Sequence, residues 1–377
     1  MPWQEVSIMS QRREFVMFAQ AEEANIQALC ARYGISRKTG YKWLRRFGAA
    51  GVAGLQDRSR RPAHSNNKTA NDVERALIEL RQQHPAWGAR KLRVRLQALG
   101  HAGLPAPSTV HGILKRRGLI DPNAGSPPHA WQRFEHAAPN HLWQMDFKGH
   151  FALQQARCHP LTVLDDHSRF ALCLRACADE KGTTVQAQLT STFEQYGLPD
   201  AMTMDNGAPW GSDAAHPYTP FTLWLMRLNV RVTHSRPYHP QTQGKDERFH
   251  RTLAVEVLRG PPFRDLPQAQ QRFDVWRDVY NLERPHEALG QQVPASRYQP
   301  SVRAFTPVLP PIEYGPDDLV RKVQCQGEFS FHGQTFRVSK CFHGHPIALR
   351  PTPEDGKFSI HFCATRIGFI DLRNPNP

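Results

Sequence analysis

Acidic residues at three places in the chain are of a type and spacing that could do chemistry. Asp146 lies in WQMDFKG, inside an apolar stretch with the texture of a strand. Asp205 lies in TMDNG, at the end of a strand-like run just before a glycine turn. Asp246 and Glu247 are adjacent in HPQTQGKDERFHRTL, where a loop rich in proline, glutamine and glycine gives way to a helical pattern. A carboxylate inside or at the end of a buried strand is costly unless something neutralises it. A divalent cation would do so. Mg2+ prefers oxygen ligands and often takes one or two carboxylates together with substrate phosphate. Two such ions about 4 Å apart can activate an attacking oxygen and stabilise a leaving one in an in-line phosphoryl displacement.

Each acid also has an ordinary reading. An aspartate before Asn-Gly is a common turn residue, and an acid at a helix start complements the helix dipole. Asp165 and Asp166, in LTVLDDHSRF, read as turn residues or as an alternative metal pair. No Ser-His-Asp elbow, Walker loop or HExxH motif offers a competing chemistry. Of the adjacent acids only one can face a given site, because neighbouring helix residues point about 100° apart. Phe249, Leu253 and Val257 mark the packed stripe of that helix. Asp246 would project close to the stripe, as a helix-start charge or cap. Glu247 would project to one side of it, with the longer reach.

The elements that must position these acids sit in a chain of 377 residues with net charge +14. That length allows two or more domains. The charge is concentrated in front: residues 1–137 carry net +12, residues 138–377 net +2. Such asymmetry suggests a polyanion partner.

Within the basic part, NIQALCARYGISRKTGYKWLRRFG reads as helix, tight turn, helix. Ile26, Leu29 and Cys30 have helical spacing, Gly34 closes the first helix and Ser36 can cap the second. Tyr41 and Leu44 are expected to face inward, leaving Arg37, Lys38, Lys42, Arg45 and Arg46 outside. This is the pattern of a helix-turn-helix whose second helix enters a major groove. In the following polar linker Arg58, Arg60 and Arg61 could follow a phosphate backbone. Residues 71–120 repeat the theme. Leu92, Leu96 and Leu99 form one apolar stripe and Val110, Ile113 and Leu114 another. Ser108 or Thr109 is the expected cap of the last helix, and Lys115, Arg116 and Arg117 its basic end.

From about residue 138 short strands alternate with helices, which suggests a mixed sheet covered by helices. A proline-rich spacer, FTPVLPPIEYGP, precedes a last segment of strand-like alternation that reads as a small all-β barrel or sandwich. The seven cysteines form no CxxC pair, so neither a disulfide framework nor a cysteine-rich zinc module is indicated. No apolar run approaches the roughly 20 residues that span a bilayer, and MPWQEVSIMSQRREF lacks a signal-peptide apolar region. The expected location is the cytoplasm, with no membrane partner.

WQMDFKG, LTVLDDHSRF, TMDNG, HSRPYHPQTQGKDERFHRTL and YNLERPHEAL occur in this order. Together they resemble the bacterial insertion-sequence transposases of the retroviral-integrase superfamily, strongly over 138–300. The resemblance implies a multidomain chain: N-terminal all-α helix-turn-helix modules, a central α/β RNase H-like core with a mixed sheet, and a small all-β barrel behind. The segments would be 1–56 and 71–120 for the two modules, with a basic linker 57–70 and a connector 121–137. The core would span 138–302, the proline-rich linker 303–316 and the barrel 317–377.

The resemblance also implies an Asp-Asp-Glu triad of Asp146, Asp205 and Glu247, the last selected by the family pattern G-K-x-E-R. This triad would hold two Mg2+ (or Mn2+) ions per site. It implies DNA as partner, both terminal inverted repeats and target, at least a dimer on DNA, and a bacterial cytoplasmic location with nucleoid association when bound to DNA. Lys245, Arg248 and Arg251 would hold phosphates near the metals. His239, Gln241 and Gln243, on the loop before them, would contact the DNA end or simply shape the turn. For Arg284, Pro285 and His286 packing and DNA contact both stand open. Other readings are a catalytically silent transposase-derived DNA-binding regulator and a plain metal-dependent nuclease. The chain departs from the family in two ways. Forty-one residues separate Asp205 from Glu247, more than the superfamily usually has, with the surplus expected in GSDAAHPYTP. It also lacks the His-His-Cys-Cys zinc module of retroviral integrases.

Overall fold

The computed structural model describes residues 7–58, 69–121, 135–205, 207–211, 218–234 and 244–374. The chain forms two compact units, Met1–Lys68 and Thr69–Pro377.

In the first unit, α1 (Ile8–Ala19), α2 (Ile26–Arg32) and α3 (Arg37–Ala50) surround Phe15, Val16, Cys30, Trp43 and Leu55. Each helix begins at a polar cap whose oxygen accepts an otherwise unpaired amide: Ser7 from Ser10, Asn25 from Ala28, Ser36 from Thr39. Gly34, at φ +63°, ends the second helix as the sequence suggests. The inward face of α3 differs from expectation. Trp43 is 6% exposed and Tyr41 54%. The reason is Gly40, which faces Cys30 and Phe15 and lets α2 and α3 approach closely. A methyl group there would meet the Cys30 Sγ at 2.6 Å and Phe15 at 3.0 Å. That contact rotates the buried stripe onto Gly40 and Trp43 and turns Tyr41 outward.

The second unit opens with α4 (Asn71–Gln83), α5 (Ala89–Ala98) and α6 (Pro107–Arg116) around Leu77, Trp87, Leu92, Leu96, Val110 and Ile113. Two local expectations fail. Leu99 lies beyond the end of α5 and is exposed. The first turn of α6 is occupied by Pro107 rather than capped by Ser108 or Thr109, which suits proline because its missing amide would go unpaired there anyway.

The central sheet contains β1 (Trp143–Phe147), β2 (Phe151–Ala152), β3 (Arg157–Asp165), β4 (Ala171–Cys177), β5 (Ala201–Met204) and β6 (Arg231–His234). Its order is β2-β3-β1-β5-β6, with β4 also paired to β3. β3 runs antiparallel to β1, β2 and β4; β5 is parallel to β1 and β6 to β5. The sheet is therefore mixed, as expected of an RNase H-like core. Helices α7 (Gly182–Tyr196) and α8 (Pro220–Arg227) cover one face, burying Leu161, Val163, Phe193 and Leu225. Helices α9 (Gly244–Leu253) and α10 (Leu266–Asp278) cover the other, burying Cys158, Leu164, Phe249 and Phe273. Both helices continue into short π-helical turns, Ala254–Leu258 and Val279–Glu283.

The last segment is not the closed barrel expected. Strands β7 (Leu319–Lys322), β10 (Pro346–Pro351), β11 (Lys357–Phe362) and β12 (Thr365–Asp371) form an open antiparallel sheet in the order β12-β11-β10-β7. β8 (Glu328–Phe331) and β9 (Gln334–Arg337) make a separate hairpin. Closure is not needed for burial, because the apolar interior is completed by Leu223 and Met226 of α8. The proline-rich segment before it is not a free tether. Phe305 and Leu309 pack on the central core, and the Pro310 carbonyl accepts a hydrogen bond from Arg227.

Gly40→Ala should destabilise the first unit by about 1–3 kcal/mol through overpacking. The readout is faster amide hydrogen exchange across α2 and α3 in the full chain. Unchanged exchange would show that the crossing tolerates a methyl group.

Candidate active site

Asp146 and Asp205 are brought together by strand pairing. Gln144 of β1 stands opposite Thr203 of the parallel β5. Two residues further along each strand, on the same face, come Asp146 and Asp205. The Gly207 amide donates to Asp205 Oδ1 at 3.1 Å, and the Asp205 carbonyl lies 2.8 Å from His234 Nδ1. The turn expected of this sequence is therefore present around the same carboxylate.

Burial pushes the Asp146 carboxyl up from 3.8 to about 7. The nearby charge of Asp205 adds to this, the Phe147 amide opposes it, and Glu180 and Glu247 push the same way. Burial also raises the Asp205 carboxyl. The charges of Asp205 and Glu247 thus both act at Asp146.

Helix α9 supplies the third acid. Phe249, Leu253 and Val257 face the core, Glu247 is exposed, and Asp246 is completely buried. Neither Asp246 oxygen has a hydrogen-bond partner, so this residue is not the helix cap considered from sequence. Burial, followed by the neighbouring charges of Asp146 and Asp166, holds its carboxyl well above the usual range.

Three long-range contacts fix α9, and the sequence pattern showed none of them. Midway along the helix, His250 Nε2 lies 2.8 Å from the Thr162 hydroxyl, which itself donates to the Asp146 carbonyl at 2.9 Å. Because that hydroxyl spends its proton on the carbonyl, His250 Nε2 must be the donor in the first contact. The other ring nitrogen, Nδ1, lies 3.9 Å from Asp146 Oδ2. Burial, helped by Lys148, drives the imidazole down to about 3, so it is neutral. The one sequence signal for His250 was its place three residues after Glu247, on an adjoining helix face.

At the start of α9, Lys245 pairs with the Asp166 carboxylate and also donates to the Asp166 carbonyl at 2.9 Å. Its side chain is 11% exposed. The expectation that Lys245 holds a DNA phosphate does not fit this placement. The same Asp166 carboxylate accepts from the His136 amide and from Gln144 Nε2. Asp165 accepts from the Ser168 amide and hydroxyl and from the Asn140 amide. Both acids are thus committed to structural hydrogen bonds, and the alternative metal pair is not supported.

Beyond α9, Glu256 bonds Arg284 at 3.0 Å and the Trp276 indole at 2.9 Å. Arg284 and His286 are buried, which answers the question left by ERPHEAL in favour of packing.

Of the basic residues, Arg248 and Arg251 are exposed near Glu247 on the outer side of α9. In the first unit Arg37, Lys38, Lys42, Arg45 and Arg58 are exposed and Arg46 is half-buried. Lys115, Arg116 and Arg117 are exposed at the end of α6, with Arg117 paired to Glu74. Arg60, Arg61, His239, Gln241, Gln243 and most of GSDAAHPYTP lie outside the described residues.

Among the described residues no three His, Cys, Asp or Glu side chains already form a metal cage. The donor chemistry nevertheless fits a hard divalent cation: Asp146, Asp205 and Glu247 offer only carboxylate oxygens, and their mutual repulsion is what a cation would relieve. None of the described helices is long and apolar enough to cross a membrane.

A mixed sheet with aspartates at the ends of adjacent parallel strands, flanked by a helix carrying a third acid, defines an integrase-type core. Comparison with known proteins agrees. Integrase core domain models match residues 136–240 and 228–294. Residues 318–377 match the C-terminal domain of IS481 family transposases. A helix-turn-helix domain model matches 11–63 and a homeodomain-like domain model 39–114. The chain is 27% identical over 254 residues to the insertion element IS476 uncharacterized 39.2 kDa protein of Xanthomonas euvesicatoria, covering 66% of this chain and 70% of that one. It is 25% identical over 240 residues to the insertion element IS407 uncharacterized 31.7 kDa protein of Burkholderia multivorans, covering 62% and 82%. Among solved structures it is similar to a simian T-cell lymphotropic virus intasome chain, at 17% identity and TM-score 0.37 over 79% of this chain and 96% of that one. The chain is thus similar, segment by segment, to a helix-turn-helix domain, an integrase core domain and the C-terminal domain of IS481 family transposases, and to insertion-element proteins over about two thirds of its length.

The raised Asp146 carboxyl makes a pH prediction for the metal-free protein. Unfolded, this group loses its proton near 3.8; folded, near 7. Between those values the folded state holds more protons, so stability falls as pH rises. Asp146→Asn should raise the melting temperature at pH 8 by roughly 3 °C or more and leave it nearly unchanged at pH 4. Equal shifts at both pH values would contradict the assignment.

Proposed function

We propose that the protein is a DNA transposase that binds the terminal inverted repeats of its element, cuts at the element's 3′ ends and joins those ends to target DNA. The observation that carries this reading is the placement of Asp146 on β1 beside Asp205 at the end of the parallel β5, with α9 tied to β3 through His250 and Thr162, whose hydroxyl in turn bonds the Asp146 carbonyl.

In the first step water attacks the phosphorus at the element end. The bond to the element's 3′ oxygen breaks, and that oxygen takes up a proton to become a hydroxyl. In the second step this hydroxyl attacks a target phosphodiester and displaces a target 3′ oxygen. One phosphodiester is lost as one is made, so the joining needs no external energy source. Held by Asp146, Asp205 and Glu247, two Mg2+ (or Mn2+) ions would offset the crowded negative charge and make the attacking oxygen easier to deprotonate.

The protein's own contribution is positional. The β1–β5 register sets the two aspartates, and His250 and Lys245 fix the roll and start of α9. Arg248 and Arg251, which are exposed, would hold DNA phosphates beside Glu247. Exposed bases on α3 and at the end of α6 would hold the terminal repeat, and joining two ends would require at least a dimer.

A second reading of the third acid has an observation of its own: the buried, unpartnered carboxylate of Asp246. A strand-joining assay with Mg2+, a labelled element end and a target plasmid separates the two. Glu247→Gln should lower joining by more than about a hundredfold, while Asp246→Asn keeps it. The reverse pattern would move the third position to Asp246. Wild-type protein that binds the end without cutting or joining it would favour a catalytically silent regulator.

A further inference from the structure

Helix α5 presents a contradiction. Its ten residues include Arg90, Lys91, Arg93 and Arg95 and no acid. A helix of that composition in a DNA-binding module would ordinarily be assigned to a phosphate backbone. Here Arg90, Arg93 and Arg95 each contact the protein itself, Arg90 from an exposed position. Arg95 donates to Glu283 at 2.6 Å across 188 residues of sequence, with the arginine side chain 20% exposed. Arg90 reaches Glu287 at 3.2 Å, and Arg93 donates to the Pro105 carbonyl. Val279 adds an apolar contact against the three-helix core of α4–α6. The two acids that receive α5 belong to the segment running from the end of α10 through ERPHEAL. The residue next to Glu283 is Arg284, which holds Glu256 on the continuation of α9. By contrast Lys115 and Arg116 of α6 are exposed.

We propose that α5 is a docking helix and that residues 279–291 are its receptor, so that α4–α6 are fixed to the catalytic core of their own chain. On this view, which rests on the transposase reading above, the contact acts as a ruler. The stretch of element end held by α6 cannot swing relative to the carboxylates, and the phosphodiester that is cut is set by the dock as well as by sequence recognition. Exposed ion pairs alone hold such contacts weakly. The half-buried Arg95–Glu283 pair and the Val279 contact are therefore the ones expected to matter.

The test uses the full chain with Arg95→Glu, Glu283→Arg and the double charge swap. Three quantities are measured: hydrogen exchange across 279–291 without DNA, affinity for a labelled element-end duplex, and the position of the cut. Each single variant should speed exchange across 279–291 by at least about tenfold. It should still bind the end, and it should spread the cut over neighbouring phosphodiesters. The swap should restore slow exchange and a single cut position. Unchanged exchange in Arg95→Glu would overturn the dock. So would loss of end binding in Arg95→Glu that the swap fails to restore, because α5 would then be a DNA contact. Wild-type protein that does not cut would overturn the transposase reading instead, and the exchange measurement would still decide the dock.

Discussion

Two carboxylates on adjacent strands repel each other, and the rest of the core is built around holding them there. β1 is the strand that makes this unavoidable. It pairs with β3 on one side and with β5 on the other, so Asp146 cannot move away from Asp205 without breaking a register shared by three strands. Adjacent strands lie about 4.8 Å apart, and at that separation burial and like charge together drive the Asp146 carboxyl to about 7. A scaffold that tolerates such crowding is poised for a counter-charge. A divalent cation suits it, and once bound between the carboxylates it could in turn take a substrate phosphate.

The third acid is held by a different strategy. Helix α9 is tied at its start by Lys245 to Asp166, midway by His250 to Thr162, and just beyond its end by Glu256 to Arg284. The middle tie converges on the Asp146 backbone itself. Buried ion pairs such as Glu256–Arg284 are poor sources of net stability, yet removing one partner leaves an uncompensated charge and is costly. Their use here is to allow one roll and one register of the helix. The same Arg284 neighbourhood contacts α5, so the helix bearing Glu247 and the three-helix cluster α4–α6 share a foundation.

What was legible in the sequence followed the range of the interactions. Ser36 as a cap, Gly34 as a stop and Phe249, Leu253 and Val257 as a stripe are local patterns, and all are present. The mixed sheet of the core and the resemblance to integrases came from motifs that are themselves short, whereas the strand order, set by long-range pairing, was not legible. The inward face of α3 was misjudged because a glycine carries no hydrophobic signal, and it is the close approach at Gly40 that buries Trp43 in place of Tyr41. Lys245 read as a DNA contact because its charge is visible in sequence and its partner, Asp166, is not. His250 and Thr162 are 88 residues apart, beyond any periodicity argument. The barrel expected at the C-terminus failed for the same reason: the surface that completes that interior, Leu223 and Met226, belongs to another part of the chain.

Asp146, Asp205 and Glu247 are proposed to hold divalent metal in one place. Iron-directed backbone cleavage tests this most directly. Fe2+ substituted for Mg2+ generates hydroxyl radicals where it binds and cuts the chain nearby. The account predicts cuts beside residues 146, 205 and 247, all suppressed together by excess Mg2+. Cuts at 146 and 205 without any in α9, or cuts that Mg2+ does not suppress, would contradict it.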